Sequence, residues 1–128
     1  MTLHVALVAP EGEIWSGNAR QIIAKTLDGD IGVLTGHTPV LGILAEGSLV
    51  RIFPEDASEE VVAAIGGGFL SVADDEVSVL ARQALLAHEV DRANAQTALD
   101  TAQSEAGGEE TPEIRFLRAQ LRATGDRA

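Results

Sequence analysis

Gly29-Asp30-Ile31-Gly32-Val33-Leu34-Thr35-Gly36-His37-Thr38-Pro39 sets three glycines, a histidine and a proline around a short apolar run. Punctuation this dense reads as a strand held between tight turns, because glycine reaches backbone conformations other residues avoid and proline interrupts regular pairing. No Lys-Ser or Lys-Thr closes the glycines, so the stretch is not a phosphate-cradling loop. Outward from it the text stays strand-like. Leu3, Val5 and Leu7 alternate along the N-terminal segment, Ile14 and Trp15 stand between Gly12 and Gly17, and Ile22 and Ile23 lie within residues 20–26. Further apolar segments fall at 40–44, 48–53, 60–65, 69–73 and 76–81. Turn signals separate them at Asp28-Gly29, Glu46-Gly47, Pro54-Glu55-Asp56, Gly66-Gly67 and Asp74-Asp75. Short strands at this spacing predict an all-β sandwich or barrel. Asp74-Asp75 predicts a hairpin turn. Gly66-Gly67-Gly68 removes three side chains in a row, which predicts a bulge, a close approach of another backbone, or simply a flexible turn.

The period changes near His88. Residues 90–106 hold no proline or glycine, and Ala95, Ala98, Leu99, Ala102 and Ala106 recur at helical spacing on one face. Alanine favours the helix but offers a thin packing surface. Glu89 and Asp91 fall in its first turn, where acids suit the helix dipole, and Gly107-Gly108 stops it. Thr111-Pro112-Glu113 then opens a second helix, with threonine as cap, proline at the first helical position and an acid in the first turn. Ile114, Leu117 and Leu121 form one stripe along it, with Arg115, Arg118 and Arg122 clustered within about 60° beside that stripe. Gly125 ends it. The two form an αα-hairpin, marginal unless it docks on something. The expected organisation is a β-sandwich over residues 1–84 followed by a C-terminal α-helical hairpin over residues 88–124, a stable sandwich with a loosely held arm.

At 128 residues the chain suits one compact domain, or one with an appendage. The hydrophobic share is 45% but the aromatic share only 3%, so the core must be aliphatic. Net charge is −11: residues 1–87 carry 12 acids and 4 bases, and residues 88–128 carry 8 acids and 5 bases. Phosphate backbones and anionic lipid headgroups would repel such a chain, so no nucleic acid is expected as partner, and the membrane only through another protein. There are no cysteines, which excludes disulfides and thiolate chemistry. No basic segment or long apolar run follows Met1, and no stretch approaches the roughly 18 apolar residues of a membrane span, so neither a signal peptide nor a span is expected.

No catalytic constellation stands out. His4, His37 and His88 lack metal-ligand spacing. His4 reads as a strand-face residue and His37 as a stabiliser of its loop. Ser16, Ser48, Ser58, Ser71, Ser78 and Ser104 lack the Gly-x-Ser-x-Gly elbow. The acid pairs at 59–60, 74–75 and 109–110 read as solvated turns, because a general acid–base pair needs a pocket that drives two pKa values apart. The arginine cluster admits three readings: a solvated helix face, a docking surface for an acidic protein, or a phosphate site matched by guanidinium forks.

The Gly-Val-Leu-x-Gly-His-x-Pro string at 32–39, together with Gly66-Gly-Gly-Phe69 and Val77-Ser-Val-Leu-Ala-Arg-Gln-Ala84, resembles the epsilon subunit of bacterial F-type ATP synthases over nearly the whole chain, about Leu3 to Leu121. That resemblance implies a non-catalytic subunit with no cofactor, in which a sandwich binds the central-stalk gamma subunit and stands on the membrane ring of c subunits. It places the subunit on the cytoplasmic face of the cell membrane, as a peripheral part of a complex that moves protons. It assigns the 28–39 loop to the c ring, with Asp30 and His37 at matching positions. It assigns the hairpin, with Arg115, Arg118 and Arg122, to the alpha and beta catalytic subunits as a brake on ATP hydrolysis. Some members bind ATP through Ile/Leu-Asp-x-x-Arg-Ala. The corresponding segment here is Val90-Asp91-Arg92-Ala93-Asn94-Ala95, where Asp91 and Ala95 match, Asn94 stands in place of the arginine, and Arg92 comes two residues early, about 200° around the helix. Nucleotide binding through Asp91 and Arg92 is therefore expected to be weak or absent. The alternative is a free-standing β-sandwich that senses nucleotide or binds another ligand through its arginines; a small hydrolase comes third.

Overall fold

A computed structural model describes residues 2–56 and 59–125; Met1 and Ser58 lie outside them. Seven strands come first: β1 (Leu3–Ala9), β2 (Gly12–Thr26), β3 (Gly29–Val33), β4 (Val40–Pro54), β5 (Val61–Ala73), β6 (Glu76–Ala81) and β7 (Ala84–Leu86). Two helices follow, α1 (Arg92–Ala106) and α2 (Pro112–Ala123). Strand order is β1-β6-β5-β4-β2-β3, and β1 also pairs with β2, so five strands close on themselves while β3 extends from β2 and β7 from β5. All pairings are antiparallel except β1 with β6. This is the expected β-sandwich followed by a C-terminal helical hairpin.

Alternation places the core. Leu3, Val5 and Leu7 of β1, Val77 and Val79 of β6, Leu70 and Val72 of β5, and Val50 and Ile52 of β4 are all at most 1% exposed and meet in one cluster. Every one is aliphatic, as the scarcity of aromatics requires. Asp74 and Asp75 join β5 to β6 with φ of 52° and 62°, the two-residue hairpin turn whose twist matches the flanking strands.

The strands are fewer and longer than the turn signals predict. Glu46-Gly47 does not reverse the chain; β4 runs straight through it. Glu46 pairs with Gly66 and Ser48 with Ile65, so Gly47 is the extra residue of a β-bulge, at φ +70°. One glycine between apolar segments is enough for a bulge, whereas a reversal also has to bring the flanking segments into register with each other. The Gly66-Gly67-Gly68 run likewise lies inside a strand, and the close-approach reading is the correct one. At Gly68 (φ +142°) an added Cβ would stand 2.0 Å from the carbonyl oxygen of Leu80.

The hairpin begins at Asp91, whose carboxylate caps α1 by accepting from the Asn94 amide at 3.1 Å. It is the cap rather than a first-turn residue. Thr111 caps α2 through the Ile114 amide at 3.1 Å, with Pro112 at the first helical position. Ala95, Leu99 and Ala102 of α1 pack on Ile114, Leu117 and Leu121 of α2. The arm is held more firmly than the sequence predicts, because α2 has a second apolar stripe. Phe116, Ala119 and Ala123 lie roughly 160° around the helix from the first stripe. They pack on Val62 and Ala64 of β5, with Leu49, Leu85 and Ala87 around them. Thus α2 lies between α1 and the outer face of β4 and β5.

Candidate docking surface

The other half of that outer face is bare. Ile43 on β4 pairs with Phe69 on β5, Phe69 pairs with Leu80 on β6, and Leu80 pairs with Val8 on β1. Directly paired residues share a face of the sheet, so these side chains form one row across four strands. Leu27, in the turn after β2, joins the far end of the row through its amide, which donates to the Ile43 carbonyl at 2.9 Å. Leu27 is 68% exposed, Ile43 52%, Phe69 49% and Leu80 50%; Leu41, two residues along β4, is 72% exposed. The row lines an open groove of about 720 Å³. Contiguous exposed apolar surface of this kind marks an interaction site. The groove's charged lining residues are Glu46, Arg82 and Arg115, and the rest of the lining is apolar side chain or glycine. Among the described residues no three histidine, aspartate or glutamate side chains group as a metal site, and no helix is long and apolar enough to cross a membrane.

A polar edge separates the bare half from the half under α2. Glu46, beside the bulge, accepts from Arg82 at 2.5 Å and faces Arg115 of α2 at 3.7 Å. Arg122 donates to the Gly47 carbonyl at 2.5 Å. Arg118 turns the other way and forms a bidentate pair with Glu110, at 2.5 and 3.1 Å. That pair holds the Glu110 carboxyl below its usual range, chiefly through the hydrogen bond from Arg118, and raises Arg118 correspondingly. The three arginines share a flank of α2, as their spacing predicts, but only Arg115 and Arg122 reach the sheet.

The remaining sequence-predicted positions lie apart from this row. Asp30 is exposed at the start of β3, opposite Lys25 of β2. His37 lies in the turn beyond β3, half-buried, with its amide donating to the Leu34 carbonyl at 3.2 Å. Its Nδ1 is 2.6 Å from the Thr38 carbonyl oxygen, a contact that requires the proton on Nδ1. The turn is tied to the β5–β6 hairpin, because the Gly36 amide donates to Asp75 at 2.7 Å. Asp91 spends its second carboxylate oxygen on the Asn94 side chain at 3.0 Å. Arg92 reaches across to close the C-terminal end of α2, donating to Thr124 at 2.6 Å and to the Leu121 carbonyl at 3.3 Å. Both residues of the predicted nucleotide site thus serve as helix caps.

Sequence reasoning missed the Leu27–Ile43–Phe69–Leu80 row and the second stripe of α2. A signal existed for each. Val40-Leu-Gly-Ile-Leu44 and Val61-Val-Ala-Ala-Ile65 do not alternate with polar residues, as strands covered on both faces do not.

The β-sandwich domain model of the ATP synthase delta/epsilon chain matches residues 2–87. The ATP synthase epsilon chain of Thermobifida fusca is 46% identical over 98% of this chain and 93% of its own. That of Streptomyces avermitilis is 46% identical over 98% and 97%. Among solved structures, a chain of the Euglena gracilis mitochondrial ATP synthase (OSCP/F1/c-ring) superposes with a TM-score of 0.75 at 23% identity, over 94% of this chain and 78% of its own. A chain of the Tetrahymena thermophila mitochondrial ATP synthase (central stalk/c-ring) does so at 0.57 and 16% identity, over 94% and 97%. These two likenesses establish the fold, whereas the family follows from the sequence matches: the chain belongs to the epsilon chains of ATP synthase.

Proposed function

We propose that this epsilon chain is a non-catalytic central-stalk subunit that couples the gamma subunit to the c ring of a proton-translocating synthase and restrains ATP hydrolysis through its hairpin. The observation that carries this reading is the bare row. Among the described residues Leu27, Ile43, Phe69 and Leu80 leave an exposed apolar, strand-built stripe along an open groove, which suits a protein partner and fits the gamma subunit. The 28–39 loop, with Asp30 exposed at one side and His37 stiffening its turn, is the contact to the c ring. The subunit works on the cytoplasmic face of the membrane, attached only through the complex.

The sandwich, residues 1–84, and the hairpin, residues 88–124, divide this work. In the docked arm the arginines are engaged within the chain, so the brake requires them to exchange those partners for acids of the alpha and beta catalytic subunits. Exposed ion pairs are worth only about 0.2–1 kcal/mol each, so such an exchange biases a two-state arm rather than locking it. Nucleotide sensing is the weaker reading, since Asp91 and Arg92 already cap the two helices.

Co-elution with purified gamma subunit tests the row. Ile43→Asp and Phe69→Asp should each abolish it, since a charge placed in an interface centre costs about 2 kcal/mol or more. Retained co-elution in both would remove the row from the stalk. Deleting residues 88–128 should raise ATP hydrolysis by the assembled enzyme while leaving synthesis in place. An unchanged hydrolysis rate would show that this arm is not the brake.

A further inference from the structure

The groove beside the row is not built from the sandwich alone. Arg115 of α2 lines it, together with Glu46 and Arg82. The side chains of Arg82 and Arg115 flank the single carboxylate of Glu46 and are 66% and 45% exposed. Each guanidinium has five N–H donors, and the contact to Glu46 uses one Arg82 nitrogen, so both lining arginines keep further donors. With α2 docked the groove's lining carries two cations, Arg82 and Arg115, and one acid, Glu46, in a chain whose net charge is −11. With α2 displaced it carries one of each. Gly47 makes the docked arrangement possible, because a Cβ there would stand 2.5 Å from the Cβ and carbonyl oxygen of Arg115.

We propose that docked α2 forms part of the docking surface: Arg115 completes a cationic edge that selects an apolar ridge bordered by a carboxylate, and binding of that ridge and docking of the hairpin reinforce each other. The proposal rests on the reading that the row binds the gamma subunit. An occupant of the groove touches Arg115 only when α2 is in place, so it has a different affinity for the docked and displaced states. Linkage makes the effect reciprocal: whatever factor docking adds to the affinity for the partner, the partner adds to docking.

Calorimetric titration of the full-length chain with purified gamma subunit tests this. Arg115→Ala should weaken binding about two- to five-fold, the range of an exposed charge pair, and Arg115→Glu more. Ala119→Asp lies outside the groove, in the contact between α2 and β5, and displaces the helix. It should weaken binding by the same two- to five-fold, and combining it with Arg115→Ala should add nothing further, since both remove the same contact. Saturating gamma subunit should slow hydrogen exchange of α2 amides in the unaltered chain by that same factor. If Ile43→Asp leaves binding intact, the gamma reading itself is wrong. If Ile43→Asp abolishes binding but Arg115→Glu keeps the original affinity, the row binds gamma and the proposal is overturned. Equal binding by Ala119→Asp, with α2 shown to be displaced by its exchange rates, would overturn it too.

Discussion

Strands β4 and β5 carry two apolar patches on the same outer face, and the patches have opposite fates. At one end Leu49, Val62 and Ala64 lie under Phe116, Ala119 and Ala123 of α2. At the other, Ile43 and Phe69 stand half exposed beside Leu80 and Leu27. The Gly47 bulge divides them. Both come from non-alternating apolar runs, so local sequence treats them alike. The covered patch is made of small residues, mostly alanine and valine, and admits a helix in close contact. The bare one presents larger, flexible leucine and isoleucine side chains and a phenylalanine. Burial of Phe116 contributes about 1.5–3 kcal/mol and each alanine methyl about 0.8, so the arm is docked by only a few kcal/mol. The chain satisfies one patch with its own helix and leaves the other open, which is the arrangement that the proposed partner at the second patch needs.

The sharpest break in this comparison is a pair of identical charges, one in each patch. Ala119→Asp would bury a carboxylate against Val62 and Ala64, costing about 2–3 kcal/mol or more. Hydrogen exchange across α2 should accelerate about 30-fold or more while the amides of β1 and β6 stay protected. Ile43→Asp, in the more apolar patch, should move folding stability by no more than about 0.5 kcal/mol in denaturant titration. Loss of several kcal/mol there would mean that the bare row supports the fold and is not reserved for docking.

A smaller effect should come from the divide. Gly47→Val imposes a β-branched side chain at φ +70° and drives it into Arg115. It should cost about 1–3 kcal/mol and loosen α2. A neutral result in thermal unfolding would show that the bulge does not set the approach of the helix. The smallest effect concerns the arginine that faces away from the sheet. Arg118 lowers the Glu110 pKa in the folded chain, so their pairing stabilises the fold above the ordinary carboxylate range and fades as pH falls through the lowered value. Arg118→Ala should return the Glu110 carboxyl resonance to an ordinary titration, with little change in stability because both groups are exposed. An unmoved titration would break the pair.

The three arginines show how much of the site the text could yield. Their common flank follows from a rotation of 100° per residue, which is a local property. Their separate partners, Glu46, Glu110 and the Gly47 carbonyl, depend on which side of α2 meets the sheet. The second stripe was hard to read because alanine at 119 and 123 is as much a helix former as a packing residue. The docking row was harder still. Leu27, Ile43, Phe69 and Leu80 span more than fifty positions, and only the register of four strands lines them up.

The sequence by itself determined the all-β first part, the cap at Thr111, the Asp74-Asp75 hairpin, the aliphatic core and the absence of catalytic spacing. Each is set within a few residues by backbone preference, alternation or composition. Tertiary structure alone decided that Gly47 is a bulge, that the glycine run admits the Leu80 carbonyl, that α2 uses two faces, and that one apolar patch is covered while the other is left open. Each of these is a contact between residues far apart in the chain, so it exists only once the strands have chosen their register and the helix its place on them.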